Sequence, residues 1–89
     1  MKAIVTVVGK DRVGIIASVC TKLAQYNVNV LDISQTVMQG YFTMMMVTDV
    51  SECNLSVGDL AKQMDAAGQE MGLSIRVQRE DIFQAMHRV

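Results

Sequence analysis

Two different spacings of apolar residues run through this chain. Four stretches are rich in β-branched and other apolar residues, as strands are, and they cover 3–8, 28–39, 42–50 and 73–77. Two further stretches repeat apolar residues every three or four positions, as amphipathic helices do, and they cover 13–26 and 56–71. The predicted order is therefore strand, helix, strand, strand, helix, strand, followed by a short helical pattern over 80–88.

Residues that favour helix ends and turns mark where these elements begin and end. Ser56, with Asp59 three residues later, is a candidate N-cap for the second helix, and Gly72 is expected to end that helix. Asp11 is a candidate N-cap for the first helix. The Gly40–Tyr41 pair fits the tight turn of a hairpin between the second and third strands.

A β-α-β-β-α-β order with right-handed crossovers predicts a four-stranded antiparallel sheet with both helices on one face and strands one and three at its centre. This is a ferredoxin-like α+β sandwich, followed here by a short C-terminal helix. We expect residues 1–79 to form the domain and 80–89 to form a helical tail. The apolar phase of the second strand slips between Val30 and Leu31, which predicts either a β-bulge or an early bend there.

The two central strands carry apolar residues on both faces, although one face of such a sheet is open to water. We expect Met45 and Val47 to form a patch on that open face with Val5 and Val7. Patches of this kind mark interfaces, with ordinary exposed apolar surface as the alternative. The tail adds a second apolar patch, formed by Ile82, Phe83 and Met86. We therefore predict a homodimer, formed through the open face, a sheet edge or the tail.

Composition narrows the classes of function. A net charge of −1 and the absence of a basic stripe argue against a nucleic-acid partner. No window approaches the roughly 18 apolar residues that span a bilayer, and no secretory signal precedes the first strand, so we expect no membrane partner and a cytoplasmic location. Cys20, Cys53 and the single His87 have no metal-ligand spacing, so we expect two free thiols, no metal site and no cofactor.

The loop between the first strand and the first helix is the strongest candidate for a binding site. The first amide groups of a helix lack partners within the helix and lie at the positive end of its dipole, so they favour a carboxylate or phosphate. Gly14 leaves room for a ligand to approach this backbone, although close packing of helix on sheet would also require a glycine. Asp11 competes with a ligand if its carboxylate caps the helix. Lys10 and Arg12 would add positive charge to the same region if they do not simply face solvent.

The string Asp11-Arg12-Val13-Gly14-Ile15 after a valine-rich strand, with Asn27-Val28-Asn29-Val30 at the start of the second strand, resembles an ACT domain. The resemblance covers residues 1 to about 79. With its short tail, the chain is similar to the small stand-alone ACT proteins of prokaryotes, many of which have no assigned function. The string is short, so its specificity comes from its place between the first strand and first helix of a β-α-β-β-α-β chain.

The resemblance implies a dimer that binds a small molecule, often an amino acid, between this loop and the second strand of the adjoining subunit. The implied ligand-binding residues are Asp11, Arg12, Val13, Gly14, Ile15 and Asn29, with Asp32 and Gln35 as weaker candidates. An Asn is common in the family where Asp11 stands, and a proline where Val13 stands. The acid would attract a ligand ammonium group and repel a carboxylate, and the missing proline would leave the loop less rigid.

Four classes of function fit this topology, and the residues favour them unequally. The resemblance favours a non-catalytic regulatory module that senses an amino acid at a dimer interface and acts on another protein. A ligand-free dimerisation or adaptor module is the main alternative. A small phosphate-handling enzyme of acylphosphatase type shares the topology and would need a loop arginine, a role open to Arg12, but the water-positioning Asn is missing from the third strand. RNA binding would need aromatic residues on the central strands, where Phe42 stands alone.

Overall fold

The predicted elements all occur in the predicted order. The computed structural model describes residues 1–86, in which the elements are β1 (Lys2–Lys10), α1 (Ile15–Gln25), β2 (Asn29–Met38), β3 (Tyr41–Asp49), α2 (Val57–Met71), β4 (Ser74–Arg79) and α3 (Glu80–Met86). His87 and Arg88, which belong to the predicted tail, lie outside the described residues. The α+β ferredoxin-like fold with a short C-terminal helix is thus confirmed.

The sheet has four antiparallel strands in the order β2-β3-β1-β4. As predicted, β1 and β3 occupy the centre. The register between β2 and β3 shifts between Val30 and Asp32, which confirms the bulge and places Leu31 in it. The β2–β3 turn lies one residue earlier than predicted, because Gln39 and Gly40 both have positive φ, 50° and 82°, as a type I′ hairpin turn requires.

The core lies between the sheet and the two longer helices. Val5 and Val7 are fully buried and pair with Met46 and Met44, so these residues share the face that the helices cover. The predicted patch of Val5 and Val7 beside Met45 is therefore wrong. Both faces of β1 are apolar, so alternation alone does not tell which face the helices cover. The open face instead carries residues of the opposite phase, among them Ile4, Val8, Tyr41, Met45 and Val47.

The third helix covers part of the open face. It packs against β1 and β4, and on that face Ile4 is only 6% exposed. Gln78, which pairs with Ile4, donates a hydrogen bond to the Met86 sulfur at 3.3 Å. At the start of α3 the Arg79 guanidinium forms two hydrogen bonds to the Asp81 carboxylate and lowers the pKa of that group. The tail is thus folded back onto the sheet, with Ile82 and Met86 still exposed.

The ends of α2 follow the sequence prediction. The Ser56 hydroxyl accepts a hydrogen bond from the Asp59 amide at 3.1 Å, as an N-cap does. Gly72 ends the helix in the left-handed conformation with φ 71°. Asn27 similarly has φ 63° after α1, and its side-chain amide donates to the Glu52 carbonyl. These caps fix where the helices stop and therefore where the loops at each end of the sheet begin.

Candidate ligand-binding site

The first helix begins at a glycine without a side-chain cap. Gly14 is the N-cap of α1, with φ 90° and ψ 2°, and no side chain hydrogen-bonds there. The prediction that Asp11 caps this helix is therefore wrong. A Cβ added to Gly14 would meet nothing within 4 Å, so close packing is not what requires the glycine either. The positive φ requires it, because other L-residues are strained in this conformation.

Backbone and side-chain hydrogen bonds hold the loop on both sides. The Asp11 amide donates to the Gly40 carbonyl of the β2–β3 turn at 2.8 Å. The Arg12 guanidinium donates to the Met71 carbonyl at the C-terminal end of α2. These bonds tie the loop to the β2–β3 turn on one side and to the end of α2 on the other.

A cavity of about 370 Å³ lies between this loop, the start of α1 and β2. Its lining is mainly apolar, with three polar residues among its members; it is lined by Asp11, Arg12, Gly14, Ile15, Ile16, Ala17, Gln35, Val37 and Phe42. The Ser18 amide makes a 2.9 Å hydrogen bond to the Gly14 carbonyl, which closes the first turn of α1. The three N–H groups before it have no partner within the helix. The cavity therefore combines amide donors, a carboxylate and an apolar wall.

The structure gathers most, but not all, of the residues predicted for the site. Asp11, Arg12, Gly14 and Ile15 line the cavity, whereas the Val13 side chain is fully exposed and does not line it. Asn29 aligns with Lys2 across β3, at the other end of the strand from the loop, roughly 26 Å away at about 3.3 Å per residue. Within one chain Asn29 and the loop do not meet.

The two weaker candidates on β2 lie on opposite faces of the sheet. Gln35 pairs with Met44 on the helix-covered face and lines the cavity. Asp32 pairs with Val47 on the open face, and its carboxylate accepts from the Ile33 amide. Sequence reasoning missed Val37 and Phe42, which share the face of Gln35. The two-residue spacing from Gln35 to Val37 was the available signal for the first of them.

Thiols, metal-ligand groups and membrane-spanning helices are the other features of the described residues that bear on function. Cys20 and Cys53 are free thiols, each half-buried. Residues 1–86 contain no group of three or more His, Cys, Asp or Glu side chains that could hold a metal ion. Within the same residues, none of the helices is long and apolar enough to cross a bilayer.

Comparison with known proteins matches nearly the whole chain, including the Asp11–Ile15 loop, to one family. The ACT domain family model matches residues 2–78, which include the loop, the residues that line the cavity and all four strands except the last residue of β4. A UPF0237 protein of Bifidobacterium longum is 54% identical over 88 residues, covering 99% of this chain and 98% of that protein. A UPF0237 protein of Clostridium acetobutylicum is 53% identical over the full length of both chains.

Solved structures lead to the same family. An ACT domain protein from Streptococcus pneumoniae superposes with a TM-score of 0.83 and 46% identity, covering 98% of each chain. A formyltetrahydrofolate deformylase from Pseudomonas syringae superposes with a TM-score of 0.79 over 88% of this chain but only 27% of its own. Its identity is 21%, so that likeness concerns the fold alone.

Proposed function

The chain belongs to the ACT domain family, and from that premise we propose that it is a non-catalytic regulatory module that binds a free amino acid in the cavity between the Asp11–Ile15 loop and β2. ACT domains generally bind small molecules and often form dimers. The observation that carries the proposal is the set of groups lining the cavity, because that set complements a zwitterion.

The two charged ends of an amino acid have separate partners in this cavity. A ligand carboxylate fits the N-terminal amides of α1, which no side chain caps. A ligand ammonium group fits the carboxylate of Asp11 and the side-chain oxygen of Gln35, which line the same cavity. This orientation is compatible with Asp11, which stands where an Asn is common in the family, because its carboxylate attracts the ligand ammonium group.

The wall of the cavity favours an apolar ligand side chain. Ile16, Val37 and Phe42 line it, and Phe42 is buried while Ile16 and Val37 are 36% and 53% exposed. A ligand that covers the two exposed side chains gains about 25 cal/mol for each Å² of apolar surface removed from water. We therefore propose an aliphatic amino acid of about the size of leucine as the ligand.

The edge of β2 is the surface proposed for the dimer. All its residues except Val30 are exposed, and it has no Lys, Arg or Pro that would discourage pairing with another strand. The opposite edge, β4, is shorter and carries Arg76 and Arg79. Exposed Leu31, Ile33 and Met38 would be covered if two β2 strands paired around a two-fold axis.

Such a pairing would also complete the site. Antiparallel strands bring the start of one β2 beside the end of the other, and the end of β2 lies next to the cavity. Asn29 of the partner subunit would then approach the cavity that its own chain cannot reach. Asn29 pairs with Asp49 on the open face, so its side chain would have to pass around the edge of β2 to contact a ligand in the cavity.

A thermal-denaturation screen of the protein against the twenty amino acids tests the ligand. A ligand at about 100 times its dissociation constant stabilises the native state by roughly 2.7 kcal/mol, which is a readable shift for a small domain. We expect a selective shift with an aliphatic amino acid. The shift should be lost in Gln35→Ala and kept in the neighbouring Ser34→Ala, whose side chain lies on the other face of the sheet. No shift with any amino acid would contradict the proposal and favour an adaptor that needs no ligand.

Light scattering on two lysine variants tests the dimer. Ile33→Lys places a charge on the β2 edge, whereas Met45→Lys places one on the open face of the sheet. We expect the first variant to be monomeric and the second to keep the dimer. The reverse result would move the interface to the open face, and a monomeric unaltered protein would contradict the dimer itself.

A further inference from the structure

The positive charge beside the last turn of α2 belongs to Arg12, a residue of the loop after β1. The final carbonyl groups of a helix lack partners within it and lie at the negative end of its dipole. The amides of Gly72 and Leu73 donate to the carbonyls of Gln69 and Gly68. No basic residue lies in the last turn, and the Met71 carbonyl is instead bonded by the guanidinium of Arg12. Arg12 therefore acts as a C-terminal cap from a distant loop.

A second contact joins the same two segments. Gly9, two residues before the loop, lies so close to Leu73 that an added Cβ would collide with the Leu73 side chain. The loop thus leaves β1 against Leu73 and is held to Met71 by Arg12. On its other side the Asp11 amide is bonded to Gly40. The loop is fixed between the end of α2 and the β2–β3 turn.

We propose that Arg12 is a positioning residue, which holds the Asp11–Ile15 loop in its ligand-binding conformation by bonding the end of α2, and that it does not pair with the ligand carboxylate. The loop contains no proline, and the bond from Arg12 to Met71 restrains it from outside. A guanidinium at a helix C-terminus has a favourable partner there, and keeping that bond holds the side chain at the end of α2. The part that concerns ligand binding depends on the proposed function.

Amide exchange measured by NMR on the ligand-free protein tests the positioning role. The Asp11 and Leu73 amides are hydrogen-bonded on the two sides of the Arg12 contact and report on it separately. In Arg12→Ala we expect both amides to exchange about fivefold faster, the factor that corresponds to the loss of one hydrogen bond. Arg12→Lys, which keeps a positively charged donor group, should show a smaller increase. Arg76→Ala removes the same charge from an exposed position on the open face and should change neither amide.

The exchange rates distinguish an Arg12 that holds the loop to the end of α2 from an Arg12 that only caps α2. Faster exchange at both amides in Arg12→Ala, with neither changed in Arg76→Ala, supports the proposal. Unchanged exchange at both would overturn it. Faster exchange at Leu73 alone would also overturn it, because Arg12 would then cap α2 without holding the loop.

A pair of probes tests whether Arg12 touches the ligand. L-leucine and isopentylamine share an ammonium group and a branched carbon chain, but only the first has a carboxylate. A positioning role predicts that Arg12→Ala weakens both probes by the same factor, whereas direct pairing predicts a loss for L-leucine alone and would overturn the proposal. If the unaltered protein binds neither probe, the proposed ligand is wrong, and the exchange experiment still decides whether Arg12 holds the loop.

Discussion

Replacing Gly14 by alanine tests whether the start of α1, and with it the candidate site, depends on a left-handed backbone. Gly14 has φ 90°, and nothing lies within 4 Å of an added Cβ, so the substitution introduces no steric collision. Its whole effect is therefore conformational. The left-handed conformation costs a residue with a Cβ about 1–2 kcal/mol, which lowers the free energy of unfolding. Alanine also restricts the unfolded chain, which raises the free energy of unfolding by about 0.4–1 kcal/mol. We expect a net loss of about 1 kcal/mol.

For a domain of 89 residues, a loss of about 1 kcal/mol lowers the Tm by about 4–8 °C. Far-UV circular dichroism at one fixed protein concentration measures it, since a dimer has a concentration-dependent Tm. Gly58→Ala is the matched control. Gly58 lies inside α2 without a positive φ and also has open space around its Cβ position. That variant should be more stable than the unaltered protein, by about 0.4–1 kcal/mol.

The two alanine variants should therefore shift the Tm in opposite directions. Gly14→Asn should fall between Gly14→Ala and the unaltered protein, because asparagine tolerates the left-handed region better than alanine does. A Gly14→Ala protein that matches or exceeds the unaltered one in stability, while Gly58→Ala is stabilised, would refute the reasoning. The start of α1 would then not need a glycine.

Two further substitutions test the core and the tail. Met64→Ala empties a fully buried position on α2 and should lower the free energy of unfolding by about 2–5 kcal/mol in urea, whereas Lys62→Ala on the exposed side of α2 should change it by less than about 0.5 kcal/mol. Asp81→Asn should speed amide exchange in α3 at neutral pH, because the bond from Arg79 holds the Asp81 pKa below its ordinary 3.8 and so stabilises the tail only while the carboxylate is ionised. That stabilisation is present above pH 3.8 and disappears as the pH falls through the lowered pKa, so equal exchange rates at neutral pH would contradict it.

The fold was predictable because its determinants are local. The spacing of apolar residues, every second position in strands and every third or fourth in helices, predicted every strand and helix. Ser56 and Gly72 marked the ends of α2 correctly. The assignment of faces was harder. Val5 and Val8 are equally apolar, yet Val5 is buried under the helices and Val8 is 41% exposed on the open face. Only the packing of the helices distinguishes two apolar faces, and alternation carries no information about it.

The site was predictable to the extent that it is one continuous segment. Asp11 and Gly14 were identified from the loop itself, and Gln35 was a weak candidate from β2. Val37 shares a face with Gln35 by the two-residue spacing, whereas Phe42 lies beside it only because β3 pairs with β2, which no local pattern shows. Asn29 is a different case, since its proposed role depends on a second copy of the chain.

The wrong assignment of Asp11 bears directly on how the site would work. Had the Asp11 carboxylate capped α1, it would have satisfied the amides that a ligand carboxylate needs and placed a negative charge in front of them. Instead no side chain caps the helix, and the loop is bonded to Gly40 through the Asp11 amide and to Met71 through Arg12. A glycine then serves as the N-cap, and a glycine has no side chain to satisfy those amides. In the proposed site the uncapped helix terminus would take a ligand carboxylate and the carboxylate of Asp11 would take the ligand ammonium group, which is the arrangement that a zwitterion requires.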